Sequence, residues 1–350
     1  MINAALDIIE FLQSNFAFLF SLALYTVLAI ALSKSIKQNY KVYYWIFGVI
    51  SFCFIIPSVA RLIGVTLPFN LGNIPIIGLS ASELSSAANF IHPVIVIIMY
   101  MGALSAKTKY VGRLMSIRKE LSIIVGFPVL AHAIKRVFGS FLTGWQFFFD
   151  NETYMQSPRV SSALGSGITS FAFVLGIVMT VLFLVLWITS FDSVHRKLGT
   201  KRWKSVQKWS YGLYAMLFIH AMCLQIGGLI SDNARAAQQA QRATQTEVVA
   251  HGQQPQQAQQ AAHGQQPQQA QQAGHGQQPQ QAQQAGHGQQ PQQAQQAGHG
   301  HGPRSFTFSS IEISRSTKRW INIFIYLAIY GSYLFLRTRK ACRNSAKRKQ

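Results

Sequence analysis

The sequence contains very little charge for its length. Only 12% of its 350 residues are Asp, Glu, Lys or Arg, whereas soluble domains usually contain about 25%. Acidic residues are the scarcest, with 10 against 31 Lys and Arg. The three cysteines, Cys53, Cys223 and Cys342, are scattered and odd in number. These shortages argue against a soluble domain, a disulfide framework and a cysteine-based zinc site.

Long apolar runs take the place of the missing charge. Hydrophobic residues make up 49% of the chain, and a helix needs about 20 predominantly apolar residues to cross a bilayer. The runs lie near residues 16–33, 42–63, 87–105, 121–143, 165–190, 209–230 and 320–336. We therefore expect an all-α, polytopic membrane helix bundle with about seven transmembrane helices.

The excess of positive charge follows the loops between these runs. A formal net charge of +21 can indicate nucleic acid binding, but 21 of the 31 cations fall in alternate segments, at 34–41, 107–119, 196–208 and 337–349. The positive-inside rule assigns such segments to the cytoplasm. We therefore expect membrane lipid and no nucleic acid as a partner, with the N-terminus outside and the C-terminus cytoplasmic.

A 12-residue repeat separates the last two runs. The unit, AHGQQPQQAQQA or GHGQQPQQAQQA, occurs four times from Ala250. It is punctuated by Pro and Gly and has too little apolar surface to form a core. We expect residues 231–303 to form a disordered loop on the outer side. Two interpretations of the repeat stay open: it is a solvated spacer, or its histidines bind metal weakly. These histidines are His251, His263, His275, His287, His299 and His301.

Three histidines lie within the apolar runs, where ionisable residues are costly and usually functional. They are His92, His132 and His220. In the expected topology, the helices of His132 and His220 run in the same direction. His132 lies 13 residues after Lys119, and His220 lies 12 after Lys208, so both reach about 18–20 Å from the inner cations. Two histidines at one depth are suited to axial ligation of a haem iron.

Several residues near this pair bear on a haem site. Lys135 and Arg136 follow His132 by one turn. Two interpretations stay open for these two cations: they pair with haem propionates, or they extend to the outer lipid headgroups. Pro128 is expected to kink the helix. Gly126 and Gly212 are expected to leave room for a flat ring.

Two stretches resemble the ferric-reductase-like transmembrane family. They are RKELSIIVGFPVLAH (118–132) and TSFDSVHRKLGTKRWKSVQKWSYGLYAMLFIHAMCL (189–224). Within the family they are most similar to the haem-binding membrane subunits of bacterial periplasmic methionine sulfoxide reductase systems. The segment YLAIYGSYLFLRTRK (326–340) resembles the last helix of those subunits.

The resemblance divides the chain into four parts and implies a bacterial inner-membrane location. Residues 42–230 would be the haem-binding domain. Residues 1–41 would add an N-terminal membrane helix, residues 231–303 the outer loop, and residues 304–350 the last helix and a basic cytoplasmic tail.

The resemblance also implies a cofactor and partners. Two-haem members carry inner histidine ligands where this chain has Arg118 and Gln207, so we expect one haem b, held by His132 and His220. His195, in an inner loop, is expected to be a surface residue. No dinucleotide fingerprint is present. The implied donor is the quinone pool or a separate flavin reductase, with quinone or flavin at the inner side. The acceptor would be an outer-side protein or ferric iron.

The expected function is that of an integral membrane b-type cytochrome, the electron-transfer subunit of an oxidoreductase. A non-haem transporter or channel with a histidine proton relay is an alternative. It would call for carboxylates within the helices, and the sequence has almost none. A membrane-anchored surface protein that displays the repeat is another, but it gives no reason for two histidines at matched depth.

Overall fold

The computed structural model describes residues 2–66, 87–105, 108–157, 160–260 and 313–348. Over these ranges the chain is helical and contains no strand, which confirms the predicted all-α class. A π-helical turn, Ala87–Ile91, precedes α4. The helices are α1 Ile2–Ala31, α2 Ser33–Gln38, α3 Tyr40–Leu62, α4 His92–Ala103, α5 Lys109–Ser116, α6 Arg118–Phe149, α7 Asn151–Gln156, α8 Ala163–Ile188, α9 Asp192–Gln207, α10 Ser210–Gln260 and α11 Arg315–Arg348.

Six of the described helices are long and apolar enough to cross a membrane, so the chain is an integral membrane protein. The most apolar is α8, in which an 18-residue stretch reaches a mean hydropathy of 2.8; its 26 residues extend about 39 Å. The six spans are Ile8–Ala31, Tyr40–Ala60, Arg118–Phe138, Ala163–Ile188, Ser210–Gln245 and Arg315–Arg343.

The third predicted run differs from the others because it forms a short helix. Only 12 residues, His92–Ala103, are α-helical, or about 18 Å of rise against a hydrocarbon core of about 30 Å. Pro93 lies in the first turn, where a missing N–H is tolerated, so it marks the helix start. Helix α4 is almost entirely buried within the protein, which is the setting that tolerates irregular backbone at membrane depth.

The N-terminal helix belongs to the same bundle. Helix α1 packs against α4, and Phe18 of α1 is only 2% exposed and touches His92 edge-on at 4.9 Å between ring centroids. Its backbone departs from helical geometry at Phe16, the residue at which the sequence predicted the first span to begin.

Inter-helix contacts join several helix ends at what we call the basic end, defined by Gly102, Lys119, Asp192 and Arg337. Lys119, at the start of α6, pairs with Asp192, at the start of α9, at 3.0 Å. Arg337 Nη1 donates to the Gly102 carbonyl of α4 at 3.1 Å. The positively charged segments after α4, after α8 and within α11 therefore lie at one end of the bundle.

Other contacts define the opposite end, marked by Ser161, Ser231, Asp232 and Arg319. The Ser161 hydroxyl donates to the Ser231 carbonyl at 2.7 Å. Arg319, near the start of α11, pairs with Asp232 of α10 at 2.5 Å. Helices α6, α8, α10 and α11 consequently alternate in direction, as the charge pattern of the sequence requires.

Helix α10 continues into the segment predicted to be disordered. It runs to Gln260, so residues 231–260 are helical in the structure and the prediction does not hold there. Residues 234–245, ARAAQQAQRATQ, are mostly good helix formers, and extending an existing helix avoids the cost of nucleation. Residues 239–260 of α10 belong to a second unit of the chain, and residues 261–303 of the predicted loop lie outside the described residues.

Candidate cofactor site around His220

The imidazole of His220 is held by a neighbouring helix. It lies on α10, partly buried, and its Nδ1 is 2.8 Å from the Ala172 carbonyl of α8. Because a carbonyl only accepts hydrogen bonds, Nδ1 carries the proton and the neutral ring keeps its lone pair on Nε2. Metal-ligating histidines almost always donate their other ring N–H in this way. His220 is therefore in the tautomer that a haem ligand needs.

A pair of glycines brings α8 and α10 into close contact. A Cβ added at Gly165 would lie 2.7 Å from the Gly227 carbonyl oxygen, and one added at Gly227 would lie 2.8 Å from the Gly165 oxygen. Small residues allow such approach between membrane helices. His220 precedes Gly227 by 7 residues and Ala172 follows Gly165 by 7, about two turns in each antiparallel helix. The glycine contact thus sets His220 opposite Ala172.

A third glycine lies beside the imidazole. A Cβ added at Gly176 of α8 would be 3.2 Å from His220 Cε1 and 3.6 Å from its Nδ1. The ring consequently lies directly against the α8 backbone. Sequence reasoning missed both Ala172 and Gly176, and the signal was their small size among the large apolar residues of FAFVLGIVMTVLF (171–183).

His132 lies half-buried on α6. It is 14 residues after the start of α6, whereas His220 is 10 residues after the start of α10. Counted from these helix starts, His132 is four residues further from the basic end than His220. Val129, three residues before His132, packs in the same cluster as Leu213, seven before His220; counted from this cluster, His132 is four residues nearer the basic end. The two counts have opposite signs, so the equal depth expected from the sequence stays a prediction.

The two cations after His132 diverge. Arg136, one turn further along the His132 face, interacts electrostatically with His220. Lys135 lies with its Nζ 4.1 Å from the centroid of the Phe54 ring of α3. The structure therefore brings Arg136 into the neighbourhood of His220 and directs Lys135 to a different helix.

His92 is the third histidine at the centre of the bundle. It is 5% exposed, shares a hydrogen bond with the Tyr330 hydroxyl through Nε2 at 2.9 Å, and lies 5.0 Å from the Tyr326 ring. His92 and His220 also interact electrostatically. The sequence singled out His92 as a membrane histidine, whereas its partners became visible only in the structure.

Gln207 and Arg118 stand where two-haem members have their inner histidine ligands, and both form hydrogen bonds to other residues of the protein. Gln207 Nε2 donates to Thr189 Oγ1 at 3.0 Å and to the Leu186 carbonyl at 3.3 Å. Arg118 is hydrogen-bonded to Tyr214. Both side chains therefore have structural roles that link neighbouring helices at the basic end.

The space expected beside Gly126 is filled. The indole of Trp187 overlaps the position of a Gly126 Cβ, and its Nε1 donates to the Ile123 carbonyl at 3.0 Å. The expectation of room for a flat ring at Gly126 is thus wrong. At Gly212, by contrast, no atom lies within 4 Å of an added Cβ. Helix α6 runs from Arg118 to Phe149 as one element, with Pro128 inside it.

No group of three or more His, Cys, Asp or Glu side chains suited to a metal ion occurs in the described part of the chain. Of the repeat histidines, only the backbone of His251 falls there, and the others lie outside it. Comparison with known proteins gives no match to a family model, a curated protein or a solved structure.

Proposed function

We propose that this integral membrane protein is a b-type cytochrome that acts as the electron-transfer subunit of an oxidoreductase. The observation that supports this most is the hydrogen bond from His220 Nδ1 to Ala172, which leaves Nε2 available as an axial ligand. The open space at Gly212 is compatible with a bulky planar group in this region.

His132 and His220 are the proposed axial ligands, and one haem b per chain would supply a one-electron carrier within the membrane. Arg136 is the better placed of the two cations to neutralise a propionate, because it interacts with His220 while Lys135 lies over Phe54. The internal bonds of Arg118 and Gln207 support a single haem.

A groove between α3 and α6 supports the quinone pool as the donor. Its volume is about 460 Å³, and Lys41, Tyr44, Trp45, Gly48, Val49, Phe52 and Phe127 line it. The Tyr44 hydroxyl is buried without a hydrogen-bond partner among the described residues. Phe127 precedes His132 by 5 residues on the same helix, about 7.5 Å. A membrane-soluble quinol fits this setting better than a flavin reductase, which would approach from outside the bilayer.

We further propose that the basic end faces the cytoplasm of a bacterial inner membrane, since Lys and Arg concentrate there. The acceptor, an outer-side protein or ferric iron, would then meet the opposite end.

The test is the reduced-minus-oxidised absorbance spectrum of the purified chain and its histidine variants. His132→Ala and His220→Ala should each abolish the haem signal, because the iron loses an axial ligand. His195→Ala, on the inner helix α9, is the matched control and should leave the spectrum unchanged. A spectrum that survives His132→Ala but not His92→Ala would transfer the second ligand to His92.

One observation favours a second function, a proton relay without haem. His92 and Tyr330 form a buried hydrogen-bonded pair close enough to His220 to interact with it. In that case the purified chain would bind no haem. His92→Phe would stop proton flux in vesicles that contain the chain, whereas a cytochrome shows no such flux in either form.

A further inference from the structure

Three cations from two helices converge on the last turn of α4. Arg337 Nη1 donates to the Gly102 carbonyl at 3.1 Å. Lys340 Nζ donates to the same carbonyl at 2.9 Å and to the Leu104 carbonyl at 3.0 Å. Arg118 presses on the same turn, since its Nη2 would lie 3.6 Å from a Gly102 Cβ. All three side chains are partly buried between helices.

The negative charge near this cluster does not balance its positive charge. Lys340 interacts electrostatically with both Arg337 and Arg118. In the part of the chain that the structure describes, none of the three forms an ion pair with a carboxylate. The carboxylates at the basic end, Glu120 and Asp192, both pair with Lys119. The end of a helix contributes only about half a negative charge, so about two and a half of the three positive charges remain uncompensated.

The remaining partners of the cluster are tyrosine hydroxyls. Arg337 donates to the Tyr211 hydroxyl, and its guanidinium carbon lies 4.8 Å from the centroid of that ring. Arg118 is hydrogen-bonded to Tyr214. Tyrosines are enriched where membrane helices meet the headgroups, and these contacts leave the net charge of the cluster unchanged.

The cluster lies at the depth of the lipid headgroups. Arg118 begins one membrane span, and Arg337 and Lys340 lie in the final two turns of another, Arg315–Arg343. Basic pockets between membrane helices at this level bind anionic lipid headgroups. A phosphate there can accept from guanidinium and ammonium groups at once, which gives strong charge-assisted hydrogen bonds.

We propose that Arg118, Arg337 and Lys340 form a binding site for the phosphate headgroup of an anionic membrane lipid. The site lies apart from His220 and does not depend on a haem. Its effect is to join α6 and α11 at the end of α4, so that occupancy stabilises the basic end of the bundle.

Thermal unfolding of the purified full chain in neutral detergent tests the site. Phosphatidylglycerol should raise the midpoint by about 3 °C or more, because a ligand that binds only the folded state stabilises it. Phosphatidylcholine at the same concentration should not. Arg118→Gln and Arg337→Gln should each lose most of the shift, and Arg118→Lys should retain it. Arg339→Gln, an exposed cation of the same helix α11, is the matched control and should behave as the unaltered chain.

Two soluble ligands distinguish a lipid-binding site from a site for a soluble anion. Inorganic phosphate and flavin mononucleotide should give little or no shift. A full shift with either would assign the cluster to a soluble anion and overturn the proposal, as would an equal shift with phosphatidylcholine. If Arg337→Gln fails to fold because the Gly102 carbonyl of α4 loses one of its two donors, Arg118→Gln decides alone. An unchanged phosphatidylglycerol shift in folded Arg118→Gln would contradict the site.

Discussion

One neighbouring helix, α8, fixes both the tautomer and the position of the His220 imidazole. Ala172 supplies the carbonyl that sets the tautomer, and Gly176 supplies the space in which the ring lies. Neither residue carries a reactive group of its own. Their contribution is to leave Nε2 as the nitrogen that can bind a metal, and this makes single substitutions on α8 informative.

Replacing Gly176 with Leu should displace the His220 ring, since even a Cβ there lies 3.2 Å from Cε1. We expect reduced haem occupancy and a shifted absorbance spectrum in the purified variant. Gly331→Leu on α11 is the matched control, because no atom lies within 4 Å of an added Cβ at that position. Equal spectra for both variants would show that the contact with α8 does not position the ligand.

Replacing Arg136 with Gln should lower the midpoint potential of the haem. Loss of a nearby positive charge favours the oxidised form, which carries the extra positive charge, and the expected change is on the order of tens of millivolts. Lys135→Gln is the neighbouring control and should change the potential less, because Lys135 lies over Phe54. Redox titration of both variants gives the comparison, and a larger effect at Lys135 would contradict the assignment of Arg136.

Pairs of helices in this chain owe their registration to small residues. The contact of Gly165 with Gly227 places α8 and α10 so that His220 meets Ala172 two turns away. The position of helix α4 is determined differently. Pro93 determines where it begins, and the bundle surrounds it. In both cases, uncharged residues without reactive side chains determine the position of the helix.

Gly227→Leu should force α8 and α10 apart, because a Cβ alone would meet the Gly165 oxygen at 2.8 Å. Overpacking of this kind costs about 1–3 kcal/mol, so the variant should unfold at a lower temperature and bind less haem. Gly331→Leu, on α11 and likewise with open space around it, should remain close to the unaltered chain. The account of helix registration fails if Gly331→Leu is the more destabilised of the two.

At the scale of the whole molecule, membrane spans and shared helix ends follow from the sequence because they depend on local properties. Length and apolarity define the spans, and the placement of Lys and Arg defines the basic end. Contacts between helices do not follow in this way. Two such contacts are the filling of the Gly126 space by Trp187 and the grouping of His92 with Tyr330, which depend on how side chains interlock. Spacing along one helix carries no information about them.

Removal of residues 261–302 should leave membrane insertion and the haem spectrum unchanged. His132, His220 and Arg136 all lie in the unit formed by Met1–Gln238 and Thr307–Gln350, whereas the deleted segment lies within Gln239–Phe306. Membrane fractionation and the difference spectrum of the shortened chain give the readout. Loss of haem from an inserted, folded variant would place part of the site in the repeat.

The most direct measurement is the haem content of the purified full-length chain, determined together with its reduced-minus-oxidised spectrum. We predict one haem b per chain with the spectrum of a bis-histidine, low-spin iron, because His132 and His220 are the proposed ligands and Arg118 and Gln207 are engaged elsewhere. Two haems per chain would contradict the single-site account. A chain that is folded and inserted but binds no haem at all would contradict the proposed function itself.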